Sequence, residues 1–403
     1  MSGARQLPCI GFVWAQFSAY HVDRIEAAAR QLTGRARVLA VEVCSRSEAY
    51  AWAPSGLVGG ADKRRLFPDQ AFEEVHPLRR WWAQLRALRG CSVVFIGLGY
   101  NEPDALLLCW TLRLLGVKVV MMTASKWDDR PRRTGFELMK ACLLSAFSAA
   151  LVGGARQKAY VEFLGFRRRP VLVGYNTVNT ARIRAQAAAV DQSAPNFAQR
   201  RFIFVGRFVA KKQLELMLRA YAAYAVDAGA SAHGFTLIGA GECEGDLRRL
   251  ASELAICHLL EWTGFLDAAA ISARLARGLA LVLVSREEQW GLVINEAVAV
   301  GLPVIASAGV GAREALVGNL ETGCVAVPGS VAGIAAALAT VGASEVSWTQ
   351  MLRASAARTW FADSERFAEA ADLLVMTDPS PVTVANHARF TAGLLPPLSG
   401  APD

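Results

Sequence analysis

Three short segments carry side chains suited to holding hydroxyls and phosphates. In LVLVSREEQWGLVINEAVAVGLPVIAS, residues 281–307, two carboxylates stand eight positions apart. Glu288 lies in a polar loop that ends at Trp290, and Glu296 about a turn into the helix that Gly291 and Leu292 open. Carboxylates placed this way accept hydrogen bonds from paired hydroxyls, such as those of a ribose or hexose. A helix start has free N–H groups and the positive end of the helix dipole, so the Gly291–Leu292 turn is also suited to an anion. In FIFVGRFVAKKQL, residues 202–214, Arg207 and Lys212 follow a strand. A guanidinium grips a phosphate through two N–H groups and an ammonium adds a point charge, so together they could neutralise a leaving diphosphate. In FTLIGAG, residues 235–241, Gly239 and Gly241 permit a tight turn and a close ligand approach. Each feature has a bland counterpart. Glutamates eight apart occur on many helices, and basic loops are often merely solvated. A lone Gly-x-Gly is weak, and residue 244, where a dinucleotide fingerprint needs its third glycine, is Glu.

The elements that must position these residues alternate. Strand patterns fall at Cys9–Ala15, Val38–Val43, Ser92–Leu98, Lys118–Thr123, Ala149–Gly153 and Val171–Tyr175. A second series falls at Phe202–Val205, Phe235–Gly239, Leu260–Thr263, Leu281–Val284, Pro303–Ala306 and Cys324–Val327. Several are unbroken apolar runs, as strands buried on both faces should be, and helical patterns such as Arg24–Leu32, Ala105–Leu115 and Leu214–Ala225 lie between them. Two blocks of strand–helix alternation predict an α/β protein of two doubly wound, Rossmann-like domains facing each other across a cleft, with ligands beyond the carboxyl ends of the strands. The expected domains are 1–185 and 201–360, joined by a polar, Ala-rich linker over 186–200. A helix over 361–377 is placed to return to the first domain, and the proline-rich stretch 378–403 reads as a mobile tail.

In the first domain the polar residues just after strands are His21, the pair Tyr100 and Asn101, and Ser125, Lys126 and Asp128. They are the acceptor-side candidates, with His21 and Asp128 also considered for catalysis; His21 could equally be a helix-start or packing residue. The segment Leu78–Arg89, LRRWWAQLRALR, sets Leu78, Trp81, Trp82, Leu85 and Leu88 as an apolar stripe among Arg79, Arg80, Arg86 and Arg89. Such a helix suits an anionic bilayer surface, or else buries its tryptophans in the domain. Lys63–Arg65 and Arg167–Arg169 are assigned to the same basic face.

Composition narrows the field. The chain has 403 residues, 53% hydrophobic and 19% charged, which excludes wholesale disorder. Residues 1–185 hold 27 Lys and Arg against 14 Asp and Glu, and residues 186–403 hold 16 against 21. The first half is therefore the one placed to meet something anionic, a membrane surface or a phosphorylated acceptor. Nucleic acid is not expected as a partner, since no recognition module accompanies the basic residues. Charges interrupt the longest apolar stretches, at Arg113, Lys118 and Glu296, and the N-terminus lacks the apolar core of a secretory signal. The eight cysteines are scattered without Cys-x-x-Cys, which suggests reduced thiols in a cytoplasmic protein and no zinc site; the basic first half adds the expectation of a peripheral place on the inner face of the cell membrane.

The second half resembles the donor-binding domain of retaining glycosyltransferases of family 4, which have the GT-B fold. The matching pieces are VGRFVAKKQ, LIGAGECEGDL, EWTGFLD and above all EEQWGLVINEAVAVGLPVIAS, with Glu288 and Glu296 in the family's Glu-x7-Glu arrangement. The first half matches more loosely, through YHVDRIEAA, DDRPRRTGFELMK and LVGYNTVN. The resemblance implies that Arg207 and Lys212 hold the donor diphosphate, Glu296 binds the ribose, Glu288 faces the sugar, the amides of Gly291 and Leu292 meet phosphate or sugar, and the backbone near Phe265 flanks the base. Trp290, Gly239 and Gly241 are grouped with this donor site. Two departures stand out: Gln213 takes a place where the family often has Gly, and WAQFSAYH lacks the usual glycine pair. The implied activity is transfer of a sugar, with retention and front-face attack, from a nucleotide-diphosphate sugar, uridine rather than guanosine, to a glycan, lipid-linked or natural-product acceptor in polysaccharide or glycoconjugate biosynthesis. No cofactor is expected, and no metal, because the two cations would carry the charge and no Asp-x-Asp is present. The rivals are a sugar-nucleotide-binding protein without turnover and a dinucleotide-dependent oxidoreductase.

Overall fold

Apolar runs of four to six residues separated by amphipathic stretches form two parallel sheets in the computed structural model, which describes residues 7–47, 55–189 and 195–376. The first sheet contains β1 (Cys9–Trp14), β2 (Arg37–Arg46), β3 (Ala61–Ala71), β4 (Val93–Ile96), β5 (Lys118–Thr123), β6 (Ala149–Val152) and β7 (Val171–Val173), in the order β3-β2-β1-β4-β5-β6-β7. The second contains β8 (Phe202–Val205), β9 (Phe235–Ile238), β10 (Leu260–Gly264), β11 (Ala280–Leu283), β12 (Val304–Ser307) and β13 (Gly323–Ala326), in the order β10-β9-β8-β11-β12-β13. Every residue of β4, β6, β9, β11 and β12 is buried, because helices cover both faces of a parallel sheet. Strand order reverses direction between β1 and β4 and between β8 and β11, the two places where a doubly wound sheet opens a crevice.

The helices of the first sheet are α1 (Ala19–Gln31), α2 (Pro77–Leu88), α3 (Pro103–Leu114), α4 (Thr134–Leu143) and α5 (Ala155–Val161). Those of the second are α6 (Thr180–Ala188), α7 (Leu214–Ala228), α8 (Glu244–Glu253), α9 (Ala268–Ala276), α10 (Leu292–Ala299), α11 (Arg313–Leu316), α12 (Val331–Gly342), α13 (Glu345–Ala357) and α14 (Thr359–Ala362). The chain divides into two compact units, one of Met1–Trp127, Pro131–Asn179 and Ser364–Asp403, the other of Asp128–Arg130 and Thr180–Asp363. The division falls at residue 179 because α6 packs on α9 and α10, and Arg184 donates to the Ala299 carbonyl at 2.7 Å. A last helix, Ser364–Met376, packs on α1 in the first unit, with Arg30 paired to Glu365 and Arg35 to Asp372. The stretch 378–403, read from sequence as a tail, lies outside the described residues, as does 190–194 of the expected linker.

Strand β3 has no counterpart in the sequence reading. Its residues, ADKRRLFPDQA, are mostly charged or polar, and Pro68 is tolerated because the strand lies at the sheet edge. Pairing in parallel with β2 imposes a period of two, which turns Lys63 and Arg65 inward onto Glu42 and leaves Arg64 outside with Asp62. Glu42 is fully buried in the middle of β2 and accepts from Lys63 at 3.1 Å, Arg65 at 2.8 Å and the Phe17 amide at 2.9 Å. Lys63 and Arg65 therefore do not belong to a solvent-facing basic surface. Nor does Arg169, which donates inward to the carbonyls of Leu144 and Phe147.

Candidate functional site

Four loops meet at the carboxyl edge of the second sheet, and backbone hydrogen bonds join them. After β8, Phe208 donates to the Ala240 carbonyl at 2.9 Å, and Cys243 donates back to the Phe208 carbonyl at 3.0 Å. After β11, Arg286 donates to the Lys211 carbonyl at 2.9 Å. After β12, Gly311 donates to the Glu288 carbonyl at 3.0 Å and Ala312 to that of Trp290 at 2.9 Å. The loops after β9, β8, β11 and β12 are thus one connected floor spanning the β8–β11 reversal.

Glycine makes this closeness feasible. A Cβ on Gly239 would overlap the Gly206 carbonyl oxygen, and one on Gly241 would overlap the Phe208 backbone. The Gly239-x-Gly241 pair is therefore needed to let the β8 loop lie against the β9 loop. Gly309 plays the same part beneath the Arg286 carbonyl. The segment Ala308–Ala312 was missed from sequence, although Gly309-x-Gly311 directly after a strand is a signal of the same kind.

On this floor Lys212 and Glu288 form an ion pair, with side chains 14% and 17% exposed. The pair bridges the β8 loop to the β11 loop. Arg207, next to Gly206, is exposed, and no hydrogen bond or ion pair of its side chain joins it to the described residues. Gln213 caps Lys212's turn in the left-handed conformation, φ 55° and ψ 39°, so the loop keeps the shape that glycine usually supplies. Gly291, at φ 96°, is the N-cap of α10, and a Cβ there would press on Leu283 and Glu288. Leu292 and Val293 follow at the helix start, where N–H groups have no partner within the helix. Glu296 lies on the next turn of α10 and is buried. Phe265 follows Gly264 at the end of β10 and is 74% exposed, an aromatic face held out at the sheet edge.

Trp290 has a different place. Its indole is 4% exposed and donates to Asn295 at 2.8 Å, and Asn295 in turn donates to the Ala362 carbonyl at 3.3 Å. The side chain anchors the loop from below. Asn295, a fully buried amide in an apolar helix, was not singled out from sequence, although an amide among Ile294, Ala297 and Val298 is the visible sign.

The candidates that follow strands of the first sheet are spread over three connections, and one of them, Asp128, belongs to the second unit. His21 is the third residue of α1. Its Nδ1 accepts from the Ser18 amide at 2.9 Å and lies 3.1 Å from Ser18 Oγ, so it closes a capping box. Its ring packs 4.8 Å from Trp14. Burial holds the imidazole well below its ordinary range, and Arg24 pushes the same way. The helix-start role is the one this geometry displays. Tyr100 and Asn101 lie in the turn after β4, with Asn101 exposed. The Ser125 amide donates to Thr123 Oγ1 at 3.1 Å after β5, and Asp128 is exposed in the short turn Trp127–Asp129. A cavity of about 450 Å³ lined by Cys9, Arg37, Arg89 and Cys91 opens at the amino ends of β1 and β4. That is the opposite edge from the one parallel sheets use for ligands.

Comparison with known proteins places this geometry. Residues 187–357 match the profile of the family described as Glycosyl transferases group 1. Glycogen synthase of Mycobacterium tuberculosis (strain ATCC 25618 / H37Rv) is 37% identical over 106 residues, 26% of this chain and 25% of that protein. The 2-deoxystreptamine glucosyltransferase of Streptomyces kanamyceticus is 30% identical over 205 residues, 50% of this chain and 52% of that protein. The chain thus spans between a quarter and about half the length of these relatives. Among solved structures, sucrose-phosphate synthase from Thermosynechococcus elongatus aligns with TM-score 0.67 at 17% identity, over 92% of this chain and 98% of that one. Anabaena HepE in complex with UDP and glucose aligns with TM-score 0.69 at 14% identity, over 92% and 100%. The fold is GT-B, two Rossmann-like halves.

Proposed function

We propose that the protein is a retaining glycosyltransferase of family 4 that moves a sugar from a nucleotide-diphosphate sugar, UDP-linked rather than GDP-linked, to an acceptor hydroxyl. The observation that carries this reading is the Lys212–Glu288 ion pair across the β8–β11 reversal, with exposed Arg207 beside it. In the structure the Glu288 carboxylate meets the Lys212 ammonium as a diphosphate oxygen would. On donor binding the diphosphate takes over Lys212 and Arg207, and Glu288 turns to the sugar hydroxyls. The amides of Gly291 and Leu292 add the positive end of α10. Glu296 accepts from the ribose, and Phe265 flanks the base.

In the reaction the bond between the anomeric carbon and the diphosphate oxygen breaks. The acceptor oxygen bonds to the same face of that carbon, and its proton passes to the leaving phosphate. Negative charge grows on the diphosphate, where preorganised donors in a partly dry site count most. Arg207 and Lys212 meet that charge without calling on a metal. UDP is favoured because HepE, of the same fold, is described with UDP and glucose bound. The acceptor class is a glycan, a lipid-linked intermediate or a natural product, the last in line with the aminocyclitol named in the Streptomyces relative. The scattered cysteines without a Cys-x-x-Cys go with a cytoplasmic location, peripheral on the inner face of the cell membrane.

The test is a thermal-shift screen with UDP, GDP and their sugars on the wild type and on Glu296→Ala. A true donor at a hundredfold its Kd stabilises by about 2.7 kcal/mol, and the variant should lose most of that gain. Stabilisation by no nucleotide, or tight binding with no acceptor-dependent release of the diphosphate, overturns the reading.

A further inference from the structure

Three successive helices of the first unit turn apolar side chains outward and carboxylates inward. Right-handed crossovers put α2, α3 and α4 on one face of the first sheet. α2 packs on α3, and α3 touches the turn Leu144–Ala146 that continues α4. On α3 the exposed residues include Leu107, Trp110 and Leu114, spaced as one helical stripe, with Leu114 82% exposed. On α4 the same spacing recurs in Phe136, Met139 and Leu143, all exposed. Leu78 and Trp82, one turn apart on α2, are 59% and 58% exposed. The stripe read from sequence on this helix is therefore split: Leu88 is buried, Trp81 and Leu85 are half-buried, and Leu78 and Trp82 face out.

The carboxylates have gone the other way. Helix α2 has none. On α3, Asp104 is buried and accepts from Arg80 at 2.7 Å, and the N-cap Glu102 pairs with the same arginine at 3.0 Å. Arg80 is thus an interior group, stacked 3.9 Å over Phe72. On α4, Glu137 is buried and accepts from the Tyr160 hydroxyl at 2.6 Å and from Lys140 at 2.7 Å. The exposed charges on these three helices and their end caps are cations, among them Arg86, Arg89, Arg113 and Arg133, and among the described residues no carboxylate pairs with these four; the exposed carboxylates Glu73, Glu74 and Asp128 lie in the turns that precede α2 and α4.

Large exposed apolar surfaces mark interaction sites. Arginines without a carboxylate partner, exposed Trp82 and Trp110 among the apolar side chains, and not one exposed carboxylate on the three helices complement an anionic lipid headgroup layer over an acyl interior. No single helix among the described residues is long and apolar enough to cross a membrane, so the arrangement is that of a surface lying on a bilayer. We propose that the outer face of α2, α3 and α4 docks on an anionic bilayer, with the α3 and α4 stripes seated at the boundary between headgroups and acyl chains. This locates on particular helices the membrane contact expected from the basic first half, and it is independent of the sugar-nucleotide site.

The test is flotation of the full chain with vesicles of phosphatidylcholine alone or with a quarter phosphatidylglycerol, at low and high salt. The wild type should float with the anionic vesicles, at least about tenfold less with neutral ones, and less at high salt. Trp110→Glu with Leu114→Glu, and separately Phe136→Glu with Met139→Glu, should each reduce binding about tenfold at an unchanged melting midpoint. Arg86→Glu with Arg113→Glu, both at exposed positions, tests the cationic rim should an apolar-face variant melt early. Wild type that stays with the unbound fraction, variants that float as well as wild type, or a dimer that these substitutions split without any vesicle binding would each overturn the proposal. None of these readouts involves a nucleotide, so failure here leaves the donor-site reading standing, and the reverse holds too.

Discussion

At the scale of single residues, the Lys212–Glu288 pair sets the sharpest expectation. Under the proposed function Lys212→Ala would remove a cation that meets the leaving diphosphate and would orphan Glu288, so kcat should fall about 10²–10³-fold in an acceptor-dependent assay, with Arg207→Ala similar. His21 gives a different kind of test, in pH. Unfolded chains protonate histidine near pH 6.5, whereas burial keeps the folded His21 neutral to much lower pH. Protons are then bound more by the unfolded state, so stability is full above the ordinary histidine range and falls on acidification by up to about 1.4 kcal/mol per pH unit. His21→Gln keeps a capping side chain at the third helical position and removes the titration. Urea unfolding between pH 7 and pH 5.5 should therefore show the wild type losing stability relative to this variant. Unchanged donor binding and turnover in His21→Gln would mark the residue as a helix cap, and a collapse of turnover at intact stability would restore it to catalysis.

At the scale of elements, loop shape decides what the residues can do. Gln213 holds a left-handed conformation that costs a side-chain residue about 1–2 kcal/mol, so Gln213→Gly should raise stability by about 0.5–1 kcal/mol after the extra freedom of the unfolded glycine is counted. Denaturant midpoints measure it directly. Gly239→Ala has the opposite sign. Its methyl would overlap the Gly206 carbonyl and push the β8 loop off the β9 loop, costing about 1–3 kcal/mol and weakening nucleotide binding at least tenfold by titration calorimetry. The same contact bears on the oxidoreductase alternative, because these glycines accommodate backbone of the chain itself. Elements also show how far pattern reading reaches. The buried strands were visible as apolar runs because both faces of a parallel sheet are covered. β3 was not, since an edge strand needs no such run, and its inward Lys63 and Arg65 are stabilised by Glu42, a partner 21 and 23 positions away.

At the scale of the whole molecule, chain order and unit composition differ. The first unit draws on both ends of the described chain: the helix Ser364–Met376 covers α1, and its Arg366 is buried deeply enough that desolvation lowers the guanidinium to about 10. A fragment ending at 179 should therefore fail to fold, by loss of cooperative unfolding in circular dichroism. A fragment over 180–363 holds its own sheet and all four floor loops, and should keep nucleotide affinity within about tenfold of the intact chain.

Local patterns written in consecutive residues were open to reading from the sequence: the parallel-sheet architecture, and the position of Arg207, Lys212, Glu288 and Glu296 just beyond the strand ends, because strand burial and loop-after-strand placement leave a short-range pattern. Tertiary structure alone decided which partner each charge meets. Lys212 on Glu288, Glu42 between Lys63 and Arg65, Asp104 under Arg80, and Glu137 turned inward while Phe136 and Met139 face out all depend on contacts between segments distant in the chain or on which side of a helix is covered. Periodicity records that a helix has an apolar side; the packing around it determines whether that side is buried.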